Sequence, residues 1–236
     1  MDAPPVSPHY RGHRIAGETS EVARATRARN PEQTRSALLE AAANEFAQYG
    51  FDGARVERIV KAAGCNMRML YHYFQSKENL YLEVLEGVYS DIRQREQGLD
   101  LESLPPLSAI RRLTRFTWDH ISTNRLFIDI GRNENLVGGR FISQSKTISE
   151  MSSPLIRQIA DVIARGRESK VFRHDVDALQ LYISIVALSA HHMGNVHTLS
   201  AVFQTDLSSP DWIAERRKHV EVMVLRMLGV DGDGIS

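Results

Sequence analysis

Apolar residues recur along the chain at spacings of three and four, and no stretch alternates with period two. Such spacing gathers apolar side chains on one face of a helix, so the pattern predicts an all-α protein, and no internal repeat is visible. Leu38, Ala42, Phe46 and Tyr49 line one face of a first helix, which Asn30-Pro31-Glu32-Gln33 introduces. Those four residues supply an N-cap, a proline at the first helical position, an acid in the first turn and Gln at the capping-box position. Gly50 supplies a left-handed stop. A short second helix carries Val56, Ile59, Val60 and Ala63 and ends at Gly64. Asn66 caps a third, with Leu70, Tyr73 and Phe74 inward, and Ser76 caps a longer fourth with Tyr81, Val84, Leu85, Val88 and Ile92. After Gln97 the pattern predicts helices over 107–122, 125–134, 143 or 148 to 167, 176–195 and 210–228.

Composition narrows the class. The chain has 236 residues, 42% hydrophobic and 25% charged, enough for a sizeable core. No apolar run reaches membrane-spanning length, and the first residues show no apolar leader segment, so no membrane partner and a cytoplasmic location are expected. Cys65 is the single cysteine, which excludes an internal disulfide and a Cys-x-x-Cys zinc pair. Lys plus Arg balance Asp plus Glu at 29 each, so any nucleic-acid contact has to use a local patch. One such patch is visible. Residues 9–29 hold Arg11, Arg14, Arg24, Arg27 and Arg29 against Glu18 and Glu21, and with three prolines before them they read as a flexible basic arm over 1–29.

The segment between 34 and 85 carries the chemistry. Three short helices with tight turns suit a helix-turn-helix, and Gly64 permits the positive φ that sets the next helix at a steep angle. A helix so presented enters a major groove with its N-terminal residues at base edges. Residues 66–73, NMRMLYHY, are that helix. The expected DNA contacts are Asn66, Met67, Arg68, Tyr71 and His72, with Arg68 the long cation for a base edge and Tyr71 a phosphate ligand. Lys77 opens the fourth helix, where an ammonium and free amides hold phosphate.

The run TRSALLEAAANEFAQYGFDGARVERIVKAAGCNMRMLYHYFQSKENLYLEVL resembles the DNA-binding domain of the TetR-type one-component transcriptional regulators. The landmarks are Ala42, Phe46, Gly50, Ile59, Ala63, Gly64, Leu70, Tyr71, Tyr73, Phe74, Lys77, Glu78 and Leu80, ungapped. Two departures stand out. Where the family often has Thr or Ser, this chain has Ala54 and Arg55; Ala54 cannot cap the second helix, while Arg55 can contact phosphate. Where the family often has Ser-x-Gly-Thr, this chain has Asn66-Met67-Arg68-Met69, so its operator is expected to differ from those of commoner members. More loosely, NENLVGGRFISQSKTISE, GRESKVFRHDVDALQLYISIVALSAHH and NVHTLSAVF are similar to the branch that includes the pyrimidine-utilisation regulator.

The resemblance implies a repressor that works as a homodimer on a double-stranded DNA operator and answers to a small-molecule effector, with no cofactor. The expected organisation is the arm at 1–29, a DNA-binding domain at 30–80, a ligand-binding and dimerisation domain at 81–230, and a tail at 231–236. Val220, Val222, Met223, Val224, Met227 and Leu228 on the last helix, with Ile183, Ile185, Val186 and Leu188 on the one before, offer apolar stripes for a four-helix dimer bundle. The expected effector pocket has Trp118, Phe127 and Phe141 as walls and Asn133, Asn135 and His192 as polar partners. His191 and His192 are adjacent and point apart on a helix, which does not suit a metal pair. The alternative is an all-α small-molecule-binding or metal-dependent enzyme that retains the helix-turn-helix as scaffold, but no nucleophile–base pair or metal motif supports it.

Overall fold

The computed structural model describes residues 30–231, and among these it contains nine α-helices and no strand. They are α1 (Pro31–Gly53), α2 (Val56–Ala63), α3 (Met67–Phe74), α4 (Lys77–Gln97), α5 (Pro106–Thr123), α6 (Arg125–Leu136), α7 (Lys146–Glu168), α8 (Ala178–Phe203) and α9 (Pro210–Met227). The basic arm at 1–29 and all of the tail beyond Asp231 lie outside the described residues.

Local chemistry sets most helix ends. The Asn30 side chain accepts from the Glu32 amide, and the Ser76 hydroxyl from the Asn79 amide at 3.0 Å. Gly50 adopts a positive φ of 67° with ψ at −180°, outside the helical region, so the regular helix breaks there as expected, and a short further turn carries α1 on to Gly53. The bend turns Phe51 into the core and leaves Tyr49 outside. Tyr49, expected inward, is 45% exposed, with the Arg58 guanidinium 4.3 Å from its ring centroid. α8 also departs from expectation: it runs through Gly194 to Phe203, eight residues past the expected end. Glycine inside a helix costs about 1 kcal/mol. A Cβ at Gly194 would meet Ile128 at 3.7 Å, an ordinary contact, so packing there does not require glycine.

Two apolar cores result. One gathers Leu38, Phe46, Phe51, Ile59, Leu70, Phe74, Leu80, Tyr81 and Leu85 from α1–α4. The other lies among α5, α7, α8 and α9 and includes Leu113, Trp118, Ile159, Val162, Leu181, Ile185, Val220 and Val224. The expected boundary at 80/81 falls inside α4, which runs unbroken from the first core toward the second. The first core also recruits Ile130, Phe141 and Ile148 from beyond that boundary, so the helix-turn-helix head is packed directly onto α6.

Candidate nucleic-acid interface and ligand clefts

The head presents α3 through two turns. Gly64 sits at φ 63°, and the Cys65 amide returns to the Val60 carbonyl at 2.9 Å, which closes α2 and redirects the chain. Asn66 then caps α3 by accepting from the Met69 amide at 2.9 Å. Leu70 and Phe74 anchor the helix in the core. Arg68, Tyr71 and His72 are thereby left exposed, and Met67 is half-buried. Arg68 has no ion-pair partner among the described residues, so its guanidinium is available to a ligand. Tyr73, expected in the core, is only half-buried and meets the edge of His72. Lys77 is the first residue of α4, as expected, but its ammonium stands 4.7 Å from the Phe51 ring centroid.

Arg55 is exposed at the start of α2 and makes no side-chain cap. The missing cap at Ala54 is replaced from elsewhere. Glu45 on α1 accepts the Arg55 amide at 2.9 Å and Arg58 Nε at 2.7 Å. Burial disfavours charge on Glu45, but the hydrogen bonds from Arg58 and from the Arg55 amide outweigh it and hold its pKa below the ordinary carboxylate value. Sequence reasoning missed this residue. Its signal was a lone carboxylate beside Phe46, at the edge of a face read as apolar.

The six pocket candidates are not brought together. Phe141 belongs to the head's core, with its ring centroid 4.4 Å from Phe51 and 4.9 Å from Tyr81. Asn133 donates from Nδ2 to the Phe46 and Ala47 carbonyls at 2.9 and 3.0 Å, groups that the bend at Gly50 frees. Asn135 is exposed and donates to the Gly131 carbonyl of its own helix. Phe127 sits against Tyr89 and His120. Only Trp118 and His192 meet, as near-parallel rings 5.2 Å apart. Glu134, also unforeseen, is buried and accepts the Phe141 and Ile142 amides at 2.6 and 2.8 Å, fixing the turn after Gly138-Gly139. None of the six lines either of two clefts in the molecule. One of about 350 Å³ runs between α1 and α4, lined by Leu39, Ala43, Val84, Val88 and Leu126 with Glu40, Glu83 and Asp91. Another, of about 120 Å³, lies among α5, α6, α8 and the start of α9.

Residues 38–84 match the family described as bacterial regulatory proteins, tetR family, and residues 106–224 match the tetracyclin repressor-like C-terminal domain. The chain belongs to the TetR family. It is 33% identical over 202 residues to the HTH-type transcriptional repressor NicS of Pseudomonas putida, covering 86% of this chain and 95% of that one. It is 36% identical over 203 residues to the HTH-type transcriptional regulator RutR of Escherichia coli O157:H7, covering 84% and 92%. The fold is shared with the ketosteroid transcriptional regulator KstR2 of Mycobacterium tuberculosis, at TM-score 0.61 and 24% identity over 82% of this chain and 94% of that one. Membership makes the protein a DNA-binding transcriptional regulator, and these relatives are regulators. No described helix is long and apolar enough to cross a membrane.

Proposed function

We propose that the protein is a homodimeric repressor whose α3 helices read two half-sites of one operator and whose helical body binds a small-molecule effector. The observation that carries the reading is α3 itself: capped by Asn66, anchored by Leu70 and Phe74, and showing Arg68, Tyr71 and His72 to solvent. Similarity to the transcriptional repressor NicS over 95% of its length supports repression as the sign of control. A two-fold dimer places its reading helices about 34–36 Å apart, or a multiple of that, to meet successive major grooves.

The dimer surface is the outer face of α8 with part of α9. Leu179 and Ile183 are 48% and 51% exposed one turn apart on α8, and Val202, Phe203 and Met223 are also exposed. Of the stripes expected to dimerise, Ile185, Val220, Val224 and Leu228 instead fill the subunit core. Exposed leucine and isoleucine at helical spacing suit a second copy of the same face.

Control needs a link between body and head. Arg93 and Glu96, near the end of α4, form a buried ion pair, and both bond the Tyr182 hydroxyl of α8 at 2.9 Å. An effector that favours one placement of α8 therefore biases α4, and with it the spacing of the two heads. Binding to a pool of random duplexes, followed by sequencing of the retained fraction, tests the reading. A palindromic consensus and an affinity that falls steeply with salt are expected. Weak, salt-insensitive retention without a consensus would refute it.

A further inference from the structure

Trp118, His192 and Trp212 stack inside the C-terminal body. His192 is 3% exposed, and its ring lies 18° from parallel to Trp118 and 4.9 Å from Trp212 between centroids. Neither of its ring nitrogens has a hydrogen-bond partner among the described residues. The hydroxyl of Thr117, the neighbour of Trp118, is likewise buried without one. Buried polar groups are nearly always paired, and an unpaired one costs free energy that an apolar side chain of the same shape would not. Burial, reinforced by the charges of Arg216 and His191, pushes the His192 pKa down to about 4. At neutral pH the ring therefore offers one N–H donor and one bare nitrogen acceptor.

His192 does not itself line the cleft of about 120 Å³, but helical neighbours of the stacked residues do. The cleft is lined by Ile121, three residues past Trp118; by Met193 and Val196, next to and one turn past His192; and by Ile213, next to Trp212. Of its polar lining, Ser122 donates to the Asp119 carbonyl, Ser208 to the Asp206 carboxylate, and Arg125 to Asp129 and the Met193 carbonyl. We propose that His192 is the polar anchor of a ligand site continuous with this cleft, for a small uncharged ring compound that carries one hydrogen-bond donor and one acceptor. This rests on the effector-controlled reading above and names the class of ligand for it. Flat aromatic neighbours suit a planar ring, and the cleft's volume equals about four liquid waters, room for a single ring. A charged ligand would give up its hydration against walls that are mostly aliphatic.

The test uses a property of the sequence: the chain has two tryptophans, and both touch His192. Intrinsic fluorescence of the full chain is titrated with 2-pyridone, benzoate and benzene, and duplex DNA binding is measured on the same preparation. A saturable response to 2-pyridone is expected, with benzoate and benzene weaker by about tenfold or more, the equivalent of one buried hydrogen bond. His192→Phe should abolish the 2-pyridone preference and melt no lower than the parent, because it removes unpaired nitrogens and keeps the stack. His192→Gln should retain the preference. Equal affinities in parent and His192→Phe, a preference for benzoate, no response to any probe, or a lower melting temperature for His192→Phe would each overturn the site. If DNA binding is intact when the site fails, the regulator reading stands alone; if DNA binding is also absent, that reading fails as well.

Discussion

At the scale of single residues, the head separates reading from holding. Arg68 is exposed on α3 without a partner, so Arg68→Ala should lose discrimination at one or two positions per half-site, at about 1–3 kcal/mol per bidentate base contact. Operator and mutated-operator affinities measured side by side check this; uniform weakening would make Arg68 a phosphate contact. Lys77→Ala should instead weaken all duplexes alike and reduce the salt slope by about one. Glu45 holds rather than reads. Its replacement by Ala strands the Arg55 amide and Arg58, and should cost about 1–3 kcal/mol in urea unfolding. Two pH dependences follow. The Glu45 pKa is lower folded than unfolded, so its contribution is present above the unfolded value and fades as pH falls through the folded one. His192 must charge on unfolding in mild acid. Its contribution to stability is full above about 6.5, the unfolded value, and declines as pH falls toward about 4. In His192→Phe the decline between those two values should flatten, while the Glu45 decline at lower pH should remain.

At the scale of elements, the joint between head and body is built from α1, α4 and α6. Asn133 of α6 satisfies two carbonyls of α1 that the bend at Gly50 leaves open, and Phe141 fills the aromatic cluster beneath them. Asn133→Ala should lower unfolding free energy by about 1–3 kcal/mol through those orphaned acceptors. Because Asn133 bonds α1 rather than α3, intrinsic base preference should be unchanged in a binding assay at saturating protein. A changed consensus would mean that α6 helps orient the reading helix.

At the scale of the whole molecule, the proposed dimer converts two modest heads into one reader. Ile183→Glu places a carboxylate on the exposed face of α8, 51% open in the single chain, so it should leave the subunit folded. Sedimentation should then show monomer, and operator affinity should fall by about a hundredfold or more, because linked half-sites gain about that much from effective concentration. An unchanged dimer would move the interface to another face.

The all-α class, the order of nine helices and the turn that sets α3 apart were legible in the chain, because each rests on local physics: helical spacing, caps at Asn30, Asn66 and Ser76, and a left-handed glycine at Gly64. Three-dimensional packing decided the rest. Which way the chain turns after the break at Gly50, and how far α8 runs past its expected end at 195, were not set by local pattern. The polar residues that matter most, Glu45 and Glu134, bond amides of residues 7 to 10 positions away, a relation that periodicity does not encode. The pocket candidates scattered for the same reason. Polar and aromatic side chains were chosen by type, but Phe141, Asn133 and Asn135 were claimed by the nearest unsatisfied surface, and only Trp118 and His192 were left facing each other in the core.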